Sequence, residues 1–452
     1  MNVPFHQFNA ELLEILGSDR ERIERKSLLA AQEARLAKEG GHRLHMLPVN
    51  FVFDERDRDQ LAEAAAAFVA VQTKILRHFA ATVGREGILQ TFRVPAAMQR
   101  FVNWNELLEP ECLVARFDIL QSRDGYHFCE FNIDSCVAAA EIFEFAGTYF
   151  DELGVGVQDR LGLTPPLKNL GAYIAQLARK RDAARIVILD WSTDGGSAGK
   201  GYLSFDRVRG HLQREAAPLP VFIADEKTYD PAWLSEAEAR RTLVFRGFMM
   251  DEMDDGGAFL DLLIAQGTPV FNTYESELRM NKVWFALLHY EALQSILTPR
   301  ERALIAKYIP YTCEIDGGNV ESLIERRSEY VFKEKQSFGG KGIHVGDETP
   351  VEELRAILSG ERMRDWTAQQ LLHALPATFP HDERFDSEPH NLVFGMYLYG
   401  SNAAGMLVRG STRSRVVNVT VGNAKLAWAF SVSEAARAAL VSGLAEAQRA
   451  GH

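Results

Sequence analysis

Two neighbouring β-type segments of the chain carry charged and amide side chains at a spacing of two residues. Arg116 and Asp118 lie in the first segment, and Glu130 and Asn132 lie in the second. Because alternate residues of a strand point to the same face, each pair shares one face of its strand. If the two faces coincide, three oxygen ligands meet beside an arginine, a donor set that suits Mg²⁺ bound with phosphate oxygens and water. The structural alternative is a charged sheet face with an arginine–aspartate pair.

Two glycine-rich segments could contact phosphate groups. The first, Asp194–Gly201, follows a strand-like run but lacks the first glycine and the Ser/Thr of a P-loop, which favours a tight turn, with or without a substrate contact. In the second, VFKEKQSFGGKGIHVG, Lys333 enters a loop that contains Gly339 and Gly340. Backbone N–H groups of such a hairpin can face nucleotide phosphates, since glycine has no Cβ to obstruct them. The alternative is a flexible β-hairpin turn without a ligand.

Hydrophobic periodicity predicts the elements that would position these residues. Residues 9–40 and 57–83 are expected to be helical. Residues 112–133 form a predicted hairpin that turns at Asp124-Gly125. Strand-like and helix-like runs alternate over 183–272, which predicts a small parallel α/β unit.

The second half of the chain begins with helical patterns and then becomes β-rich. Residues 282–309 are expected to be helical. The runs at 392–400, 405–411 and 415–422 are β-type, and a last helix is expected from about Ser433.

Composition and charge limit the classes of function. The chain has 452 residues, with 50 lysines and arginines against 62 aspartates and glutamates, so its formal net charge is −12. A hydrophobic fraction of 46% and a charged fraction of 25% are ordinary for a folded protein and exclude a wholly disordered one. A sequence pI near 5.6 argues against nucleic acid as the main partner.

The cysteines and the targeting signals predict a cytoplasmic protein. The 4 cysteines form no CxxC pair, so reduced thiols are expected, and strand alternation should turn Cys129 away from Glu130 as a packing residue. The first residues lack the pattern of a secretory signal. No apolar stretch approaches the roughly 18 residues that a membrane span needs, so no membrane contact is expected.

Taken in chain order, the motifs resemble those of the ATP-grasp ligases. Arg-x-Asp followed by Glu-x-Asn-x-Asp-Ser resembles the magnesium motif of that family. The order of the parts resembles the circularly permuted branch, which includes glutathionylspermidine synthetases and eukaryotic glutathione synthetases. The match covers about residues 112–136 and 270–425.

Later landmarks of the family follow in the same order. Lys282, which opens a helix, resembles the first ATP lysine, and Lys333 with its glycine loop resembles the second. Residues 367–372 resemble the hinge strand that contacts adenine. Arg409 resembles the late arginine that stabilises the reacting carboxyl phosphate. Glu334, in contrast, stands where the family usually has proline.

The resemblance implies an α/β (α+β) fold, namely a circularly permuted ATP-grasp body with an additional small parallel α/β substrate domain and an N-terminal helical region. The implied division is an N-terminal helical region at 1–110, an ATP-grasp part with the metal motif at 111–182, the small α/β substrate domain at 183–272, and an ATP-grasp part with the ATP lysines, glycine-rich lid and late arginine at 273–452.

The implied activity is that of an ATP-dependent carboxylate–amine ligase. The enzyme would form an amide through an acyl phosphate and release ADP and phosphate, with ATP and two Mg²⁺ ions as cofactors. Its partners would be a small-molecule carboxylate and amine of amino-acid, peptide or polyamine type, and a homodimer is compatible with the resemblance. A small-molecule kinase and a non-catalytic nucleotide- or metabolite-binding homologue stay as alternatives.

The resemblance also assigns roles to individual residues. Ser135 would bind substrate or cap a helix, and Arg246 would contact substrate or lie on the surface near Asp251 and Glu252. The full implied set comprises catalytic Arg409 and Arg116; ATP-binding Lys282, Lys333, Ser337, Gly339, Gly340, Lys341, Gln369 and Gln370; substrate-binding Arg116, Ser135 and Arg246; and metal-binding Asp118, Glu130 and Asn132.

Overall fold

The fold is known from a computed structural model and is of mixed α/β type. It describes residues 3–18, 45–111, 113–134, 139–144, 146, 150, 153, 165–192, 203–337, 339–382, 386–419 and 424–450.

The strands of these residues fall into three sheets. They are β1 (Phe51–Asp54), β2 (Val114–Ser122), β3 (Gly125–Ile133), β4 (Arg185–Leu189), β5 (Val221–Ala224), β6 (Thr242–Arg246), β7 (Val270–Phe271), β8 (Thr312–Glu314), β9 (Tyr330–Glu334), β10 (Ile343–Val345), β11 (Trp366–Gln370), β12 (Ala377–Pro380), β13 (Ser387–Tyr399), β14 (Asn402–Ser411) and β15 (Lys425–Val432).

The α-helices of the same residues vary from single turns to one long helix over the large sheet. They are α1 (Phe5–Phe8), α2 (Ala10–Ser18), α3 (Glu55–Thr82), α4 (Gly84–Thr91), α5 (Trp104–Leu108), α6 (Pro166–Lys180), α7 (Leu203–Ala216), α8 (Glu236–Ala239), α9 (Ala258–Ala265), α10 (Tyr274–Met280), α11 (Val283–Leu287), α12 (Glu291–Gln294), α13 (Pro299–Tyr308), α14 (Val320–Glu325), α15 (Val351–Ile357) and α16 (Glu434–Arg449).

The largest layer is a mixed sheet of seven described strands. Its order is β1-β15-β14-β13-β2-β3, with β12 also paired to β13. β1 runs parallel to β15, and the other neighbours are antiparallel. Helix α3 packs on this sheet, where Phe68 contacts the rings of Phe128 and Phe131 at centroid distances of 5.3 and 6.0 Å. The β2–β3 hairpin is therefore fixed to the main core.

A second sheet, of four described strands, is entirely parallel in the order β5-β4-β6-β7. Its central strands β4 and β6 are short and buried, as strands covered on both faces should be. The alternation of strand-like and helix-like runs predicted this parallel sheet, and the strand pairing confirms it.

A third sheet, of four described strands, is antiparallel in the order β10-β9-β11-β8. It has an apolar core of its own, which includes Phe332, Leu354 and Trp366. The predicted strand–turn–strand arrangement around the glycine loop is confirmed by the pairing of β9 with β10.

Several predicted elements are confirmed and one is wrong. The helix predicted at 57–83 is α3, which starts where the side chain of Asp54 accepts a hydrogen bond from the N–H of Arg56 at 2.9 Å. Residues 415–419 of the predicted strand 415–422 are irregular, and the strand that pairs with β14 is β15 instead. Of the helix predicted at 9–40, the structure describes 9–18 only.

No helix in the described ranges is both long and apolar enough to cross a bilayer. The circularly permuted order of parts and the division into four parts stay predictions.

Candidate active site

The β2–β3 hairpin brings the predicted oxygen donors together. Its antiparallel register pairs Arg116 with Asn132 and Asp118 with Glu130. Directly opposed residues of such a pair project to the same face, with Cβ atoms roughly 5 Å apart. The predicted coincidence of the two strand faces is confirmed, while the metal-binding role of these residues stays a prediction.

A β-bulge in β3 places a thiol on the same side. Asp118 pairs with Glu130, but the next residue, Ile119, pairs with Phe128, so Cys129 is the extra residue. Both Cys129 and Glu130 consequently line the cleft described below. The prediction that Cys129 turns away from Glu130 is wrong because it assumed unbroken alternation. Burial raises the pKa of the Cys129 thiol to about 12, so the thiol stays protonated.

Asp118 lies between two arginines. Arg409 of β14 contacts Oδ2 of Asp118 through Nη2 at 2.5 Å, and Arg116 contacts Oδ1 through Nε at 3.1 Å. Burial raises the pKa of the Asp118 carboxyl, but the guanidinium groups of Arg409 and Arg116 outweigh it and hold this pKa below its ordinary value. Asp118 is therefore a buried carboxylate at neutral pH. The Nε atom of Arg409 is also buried and has no hydrogen-bond partner within the described ranges.

Gly395 of β13 supports this arrangement from the neighbouring strand. It lies opposite Asp118 in the register of β13 and β2. A Cβ at this position would be 2.8 Å from Cδ of Arg116, so the absent side chain provides the space for the arginine stem. A glycine inside a long apolar strand is the sequence signal that could have revealed it, since such glycines often mark a close approach.

Lys333 enters the site from β9 of the small antiparallel sheet. Its Nζ donates hydrogen bonds to the carbonyl oxygen of Cys129 at 2.8 Å and to Oε1 of Gln369 at 2.7 Å. Gln369 also donates from Nε2 to Oγ1 of Thr312 at 3.3 Å. Gln369 therefore orients Lys333, a role that the sequence did not predict, whereas Gln370 is exposed at the rim of the cleft. Burial lowers the pKa of Lys333 from its ordinary value.

Lys282 joins the hairpin to the glycine loop. It directly precedes α11, as predicted, and its Nζ is 3.1 Å from Oε1 of Glu130. The same Nζ donates a hydrogen bond to the carbonyl oxygen of Ser337. The backbone N–H of Lys282 donates another to the carbonyl oxygen of Lys335 at 3.0 Å. One lysine thus holds a predicted metal ligand and the start of the loop together.

The glycine loop requires its glycines. Gly339, Gly340 and Gly342 have φ values of +66, +79 and +60°, which other residues adopt only at a cost. A Cβ at Gly342 would also lie 2.6 Å from Oε2 of Glu334. Gly340 lines the cleft, and Phe338 lies outside the described residues.

Two other predicted loop residues have distinct surroundings. The hydroxyl of Ser337 donates to the carbonyl oxygen of Glu334 at 3.1 Å. Lys341 is near Asp251 of the parallel-sheet unit: burial raises the pKa of Asp251, and the charge of Lys341 counteracts that rise. The loop therefore faces both the cleft described below and the unit that contains Asp251.

A cleft with about 790 Å³ of empty space lies between the hairpin side of the large sheet and the small antiparallel sheet. Its polar end is formed by Asp118, Glu130, Lys333 and Arg409. The remaining wall is mostly apolar and includes Leu120, Val331, Ile343, Val345, Leu371, Leu372, Val393, Val416 and Val417. A ligand with a flat apolar part and a strongly charged part suits such a cleft.

The late segment after β14 closes one side of the cleft. Arg415 lines the cleft and forms an ion pair with Asp347, which follows β10, at 2.8 Å. The irregular backbone at 415–419, predicted to be a strand, thus contributes cleft wall instead of sheet.

The donor set fits magnesium that binds together with phosphate groups. Within the described ranges no group of three or more His, Cys, Asp or Glu side chains could hold a metal ion. Two carboxylates and one amide nevertheless share a face, and Nδ2 of Asn132 is buried without a hydrogen-bond partner. Mg²⁺ is commonly held by one or two carboxylates plus substrate phosphates and water. Asp118, Glu130 and Asn132 therefore fit a metal–phosphate complex better than a metal ion alone.

Metal and nucleotide are expected to bind cooperatively. Asp118 is paired with Arg409 and Glu130 with Lys282, and both cations are predicted to contact phosphate. The metal ion alone would replace only the cation beside each carboxylate, and the nucleotide alone would replace only the carboxylate beside each cation. Either ligand alone therefore leaves one member of each ion pair without a partner. With Mn²⁺ as a probe for Mg²⁺, we expect the affinity for the metal to rise about tenfold or more when ADP is present. The affinity for ADP should rise by the same factor when the metal is present. Calorimetry in both orders measures this, and equal Mn²⁺ affinity with and without ADP would contradict it.

Arg246 is buried and not on the surface. It has 0% exposure, and its guanidinium contacts Oδ2 of Asp134 at 2.5 Å and the carbonyl oxygen of Asn272 at 2.6 Å. Glu277 lies 3.7 Å away, and burial raises the pKa of Glu277 to about 8 even though Arg246 opposes this. The surface position considered for Arg246 is wrong, and the predicted contact of its guanidinium with substrate stays a prediction. Ser135 lies outside the described residues.

Comparisons with known proteins give a structural likeness only. No protein-family model and no curated protein sequence matches the chain. A glutathione synthetase-like effector from Globodera pallida aligns over 93% of this chain and 98% of its own, with a TM-score of 0.58 and 10% identity. That similarity shows a glutathione synthetase-like fold.

A second solved structure is less similar. A candidate gamma-glutamylcysteine synthetase from Methylobacillus flagellatus aligns over 84% of this chain and 96% of its own, with a TM-score of 0.39 and 12% identity. A score this low supports no inference.

Proposed function

We propose that the chain is an ATP-dependent carboxylate–amine ligase that forms an amide through an acyl phosphate and releases ADP and phosphate. The observation that carries the proposal is the convergence of Asp118, Glu130, Lys333 and Arg409 at the charged end of an otherwise apolar cleft. Such a cleft suits a nucleotide whose base contacts the apolar wall and whose phosphates contact the cations. The glutathione synthetase-like fold agrees with this coarse assignment.

The cations serve the nucleotide phosphates. Lys333 and Lys282 neutralise phosphate charge, and backbone N–H groups at Gly339 and Gly340 face phosphate oxygens. Gln369 keeps Lys333 aimed at the cleft through its 2.7 Å hydrogen bond. Lys341 and Ser337 belong to the same loop, which covers the phosphates, and Gln370 lies near the base.

The arginines serve the acid substrate and the reacting centre. Arg116 binds the substrate carboxylate, a planar task suited to a guanidinium. A carboxylate oxygen attacks the γ-phosphorus, and the bond to the ADP oxygen breaks. The amine then attacks the acyl carbon, phosphate leaves with its oxygen, and the amine proton passes to solvent. Arg409 stabilises negative charge on the transferred phosphoryl group.

Magnesium would be held by Asp118, Glu130 and Asn132, and it would supply positive charge that offsets the repulsion between the two anionic reactants. Water must be excluded because acyl phosphates hydrolyse. Closure of the glycine loop, which Lys282 already links to Glu130, provides that exclusion.

The proposal is tested by chromatography of the nucleotides after incubation with Mg-ATP and a panel of acids and amines. The panel contains amino acids, γ-glutamyl peptides, glutathione and polyamines. ADP that forms only when an acid and an amine are both present supports the ligase. AMP as the product contradicts it. A phosphorylated product that needs no amine identifies a kinase, and nucleotide binding without turnover identifies a non-catalytic homologue.

Gly395→Ala is expected to raise the KM for the acid substrate about tenfold, because the new Cβ displaces the stem of Arg116 from a site where small errors of position are costly. The KM for ATP should change much less. Gly317→Ala is the matched control, since a Cβ there has no neighbour within 4 Å. Steady-state kinetics with the acid and amine that the panel selects measures both, and an unchanged acid KM would remove the proposed role of Gly395.

A further inference from the structure

Tyr397 of β13 is the cross-strand neighbour of Arg116 of β2. Directly opposed residues of two antiparallel strands project to the same face of the sheet. The hydroxyl of Tyr397 accepts a hydrogen bond from the guanidinium of Arg116, and the charge of Arg116 counteracts the rise that burial causes in the pKa of Tyr397. Tyr397 has 0% exposure, so its hydroxyl acts on groups inside the protein.

The phenol and a carboxylate together hold the guanidinium of Arg116. Nε of Arg116 contacts Oδ1 of Asp118 at 3.1 Å, and the hydroxyl of Tyr397 accepts a second hydrogen bond. A guanidinium presents its five N–H groups in a rigid planar fork, so two fixed contacts determine the direction of the rest. The side chain of Arg116 keeps 16% of its surface exposed, which leaves part of it accessible to a substrate.

The ring of Tyr397 is itself fixed by stacking. It lies against the indole of Trp428, with 5.9 Å between the centroids and 13° between the planes. Trp428 in turn packs edge to face with Phe143 at 5.5 Å. A Cβ at Gly405, which pairs with Tyr397 from β14, would collide with Cζ2 of Trp428, so this glycine provides the space for the indole. The hydroxyl of Tyr397 therefore has a defined position relative to Arg116.

Tyr399, two residues further along the same strand, makes a direct comparison possible. Both tyrosines are buried, and burial and the charge of Glu141 raise the pKa of both phenols. The charge of Arg116 acts on the pKa of Tyr397 and not on that of Tyr399. The hydroxyl of Tyr399 has no hydrogen-bond partner in the described part of the chain. Of the two tyrosines, Tyr397 is the one that contacts Arg116.

A neutral phenol suits the task of holding this arginine. A second carboxylate beside Arg116 would hold the guanidinium more strongly, but its charge would oppose the carboxylate of the acid substrate. Asp118 is already shared between Arg116 and Arg409. A phenol adds a contact and no negative charge, so the guanidinium is oriented and stays attractive to an anion.

We propose that Tyr397 is a positioning residue for the acid substrate, because it holds the guanidinium of Arg116 in the orientation that binds the substrate carboxylate. The inference rests on the proposed ligase function and on the role given there to Arg116. Tyr397 touches neither the substrate nor the nucleotide, so its whole effect passes through Arg116.

Tyr397→Phe should raise the KM for the acid substrate about tenfold, since it removes one hydrogen bond to a charged group and keeps the ring against Trp428. The KM values for ATP and for the amine should stay within about twofold of the wild type. Steady-state kinetics with the acid and amine that the panel selects measures all three. A purely structural loss of folded protein would lower kcat and leave every KM unchanged. Tyr399→Phe is the matched control, and its acid KM should stay within about twofold of the wild type.

A double-mutant cycle tests whether the effect passes through Arg116. Arg116→Lys keeps the charge and loses the planar fork, so it should raise the acid KM by itself. Adding Tyr397→Phe to Arg116→Lys should then raise the acid KM by less than about twofold, because the hydrogen bond to the guanidinium is already absent.

Three results would overturn the role of Tyr397 while the wild type still forms ADP from an acid and an amine. They are an unchanged acid KM in Tyr397→Phe, an equal rise in Tyr399→Phe, and a full tenfold effect of Tyr397→Phe in the Arg116→Lys background. A wild type that forms ADP with no pair of acid and amine refutes the ligase function itself, and the role of Tyr397 with it.

Discussion

Asp118→Asn is expected to lower ADP formation about 1000-fold or more, because it removes a predicted metal ligand and the counter-charge of two arginines that are proposed to be catalytic. Arg409 and Arg116 contact the two oxygens of Asp118 at 2.5 and 3.1 Å. A neutral amide leaves both guanidinium groups with uncompensated charge inside the protein. Activity within tenfold of the wild type would refute the role of Asp118.

The same substitution should also destabilise the fold. Breaking a buried ion pair by removing one partner costs about 3 kcal/mol. Urea unfolding followed by fluorescence measures this loss. Asp124→Asn is the matched control, since it makes the same chemical change at the exposed turn of the same hairpin and should alter neither stability nor activity appreciably.

Glu130→Gln separates the loss of chemistry from the loss of stability. Glu130 is partly exposed and contacts Lys282 at 3.1 Å, so its replacement should cost much less folding free energy. ADP formation should nevertheless fall by a similar factor, since the metal–phosphate complex loses a ligand. A stable and fully active Glu130→Gln protein would invalidate the predicted metal site.

Lys333→Met is expected to weaken nucleotide binding about 100-fold while leaving stability unchanged or improved. Lys333 is buried, and its hydrogen bonds are to two neutral oxygens, those of Cys129 and Gln369. No acidic side chain of the described residues forms an ion pair with it at 4.0 Å or less. Burial therefore makes this charge costly, and the proposed nucleotide phosphates would offset that cost. Methionine has a similar shape and no charge to bury.

Lys335→Met makes the same change two residues further along the chain. Lys335 is also buried, but it is paired with Glu314 and does not line the cleft. This variant should lose stability and keep its affinity for ADP. Calorimetry with Mg-ADP and chemical unfolding of both variants test the contrast, and equal affinity in Lys333→Met and the wild type would remove Lys333 from the nucleotide site.

The sequence predicted those parts of the site that follow from strict periodicity. The spacing of Arg116 and Asp118, and that of Glu130 and Asn132, defined one face of each strand, and the hairpin turn brought the faces together. The bulge at Cys129 broke the same rule. An inserted residue cannot be recognised in a short alternating pattern of polar and apolar residues, so only the pairing of the strands reveals it.

Other features depend on contacts between segments far apart in the chain. Gln369 orients Lys333 because β9 and β11 are neighbours, and Arg246 is buried because β6 ends against Asp134. The segments 415–422 and 425–432 both have β-type composition, and local preference does not decide which of them pairs with β14. Tertiary contacts decide this.

The separate apolar core of the small antiparallel sheet has a dynamic consequence. Phe332, Leu354 and Trp366 pack among themselves, whereas polar contacts such as Arg415 with Asp347 and Arg93 with Asp365 connect this layer to its surroundings. Hydrogen bonds from Lys333 to Cys129 and from Lys282 to Lys335 also cross this boundary, so these contacts must break before the layer can tilt as a unit. Its amide hydrogens should therefore exchange with solvent as one cooperative group, and the large sheet should exchange as another. The proposed nucleotide would then enter between two layers that each have a hydrophobic core of their own.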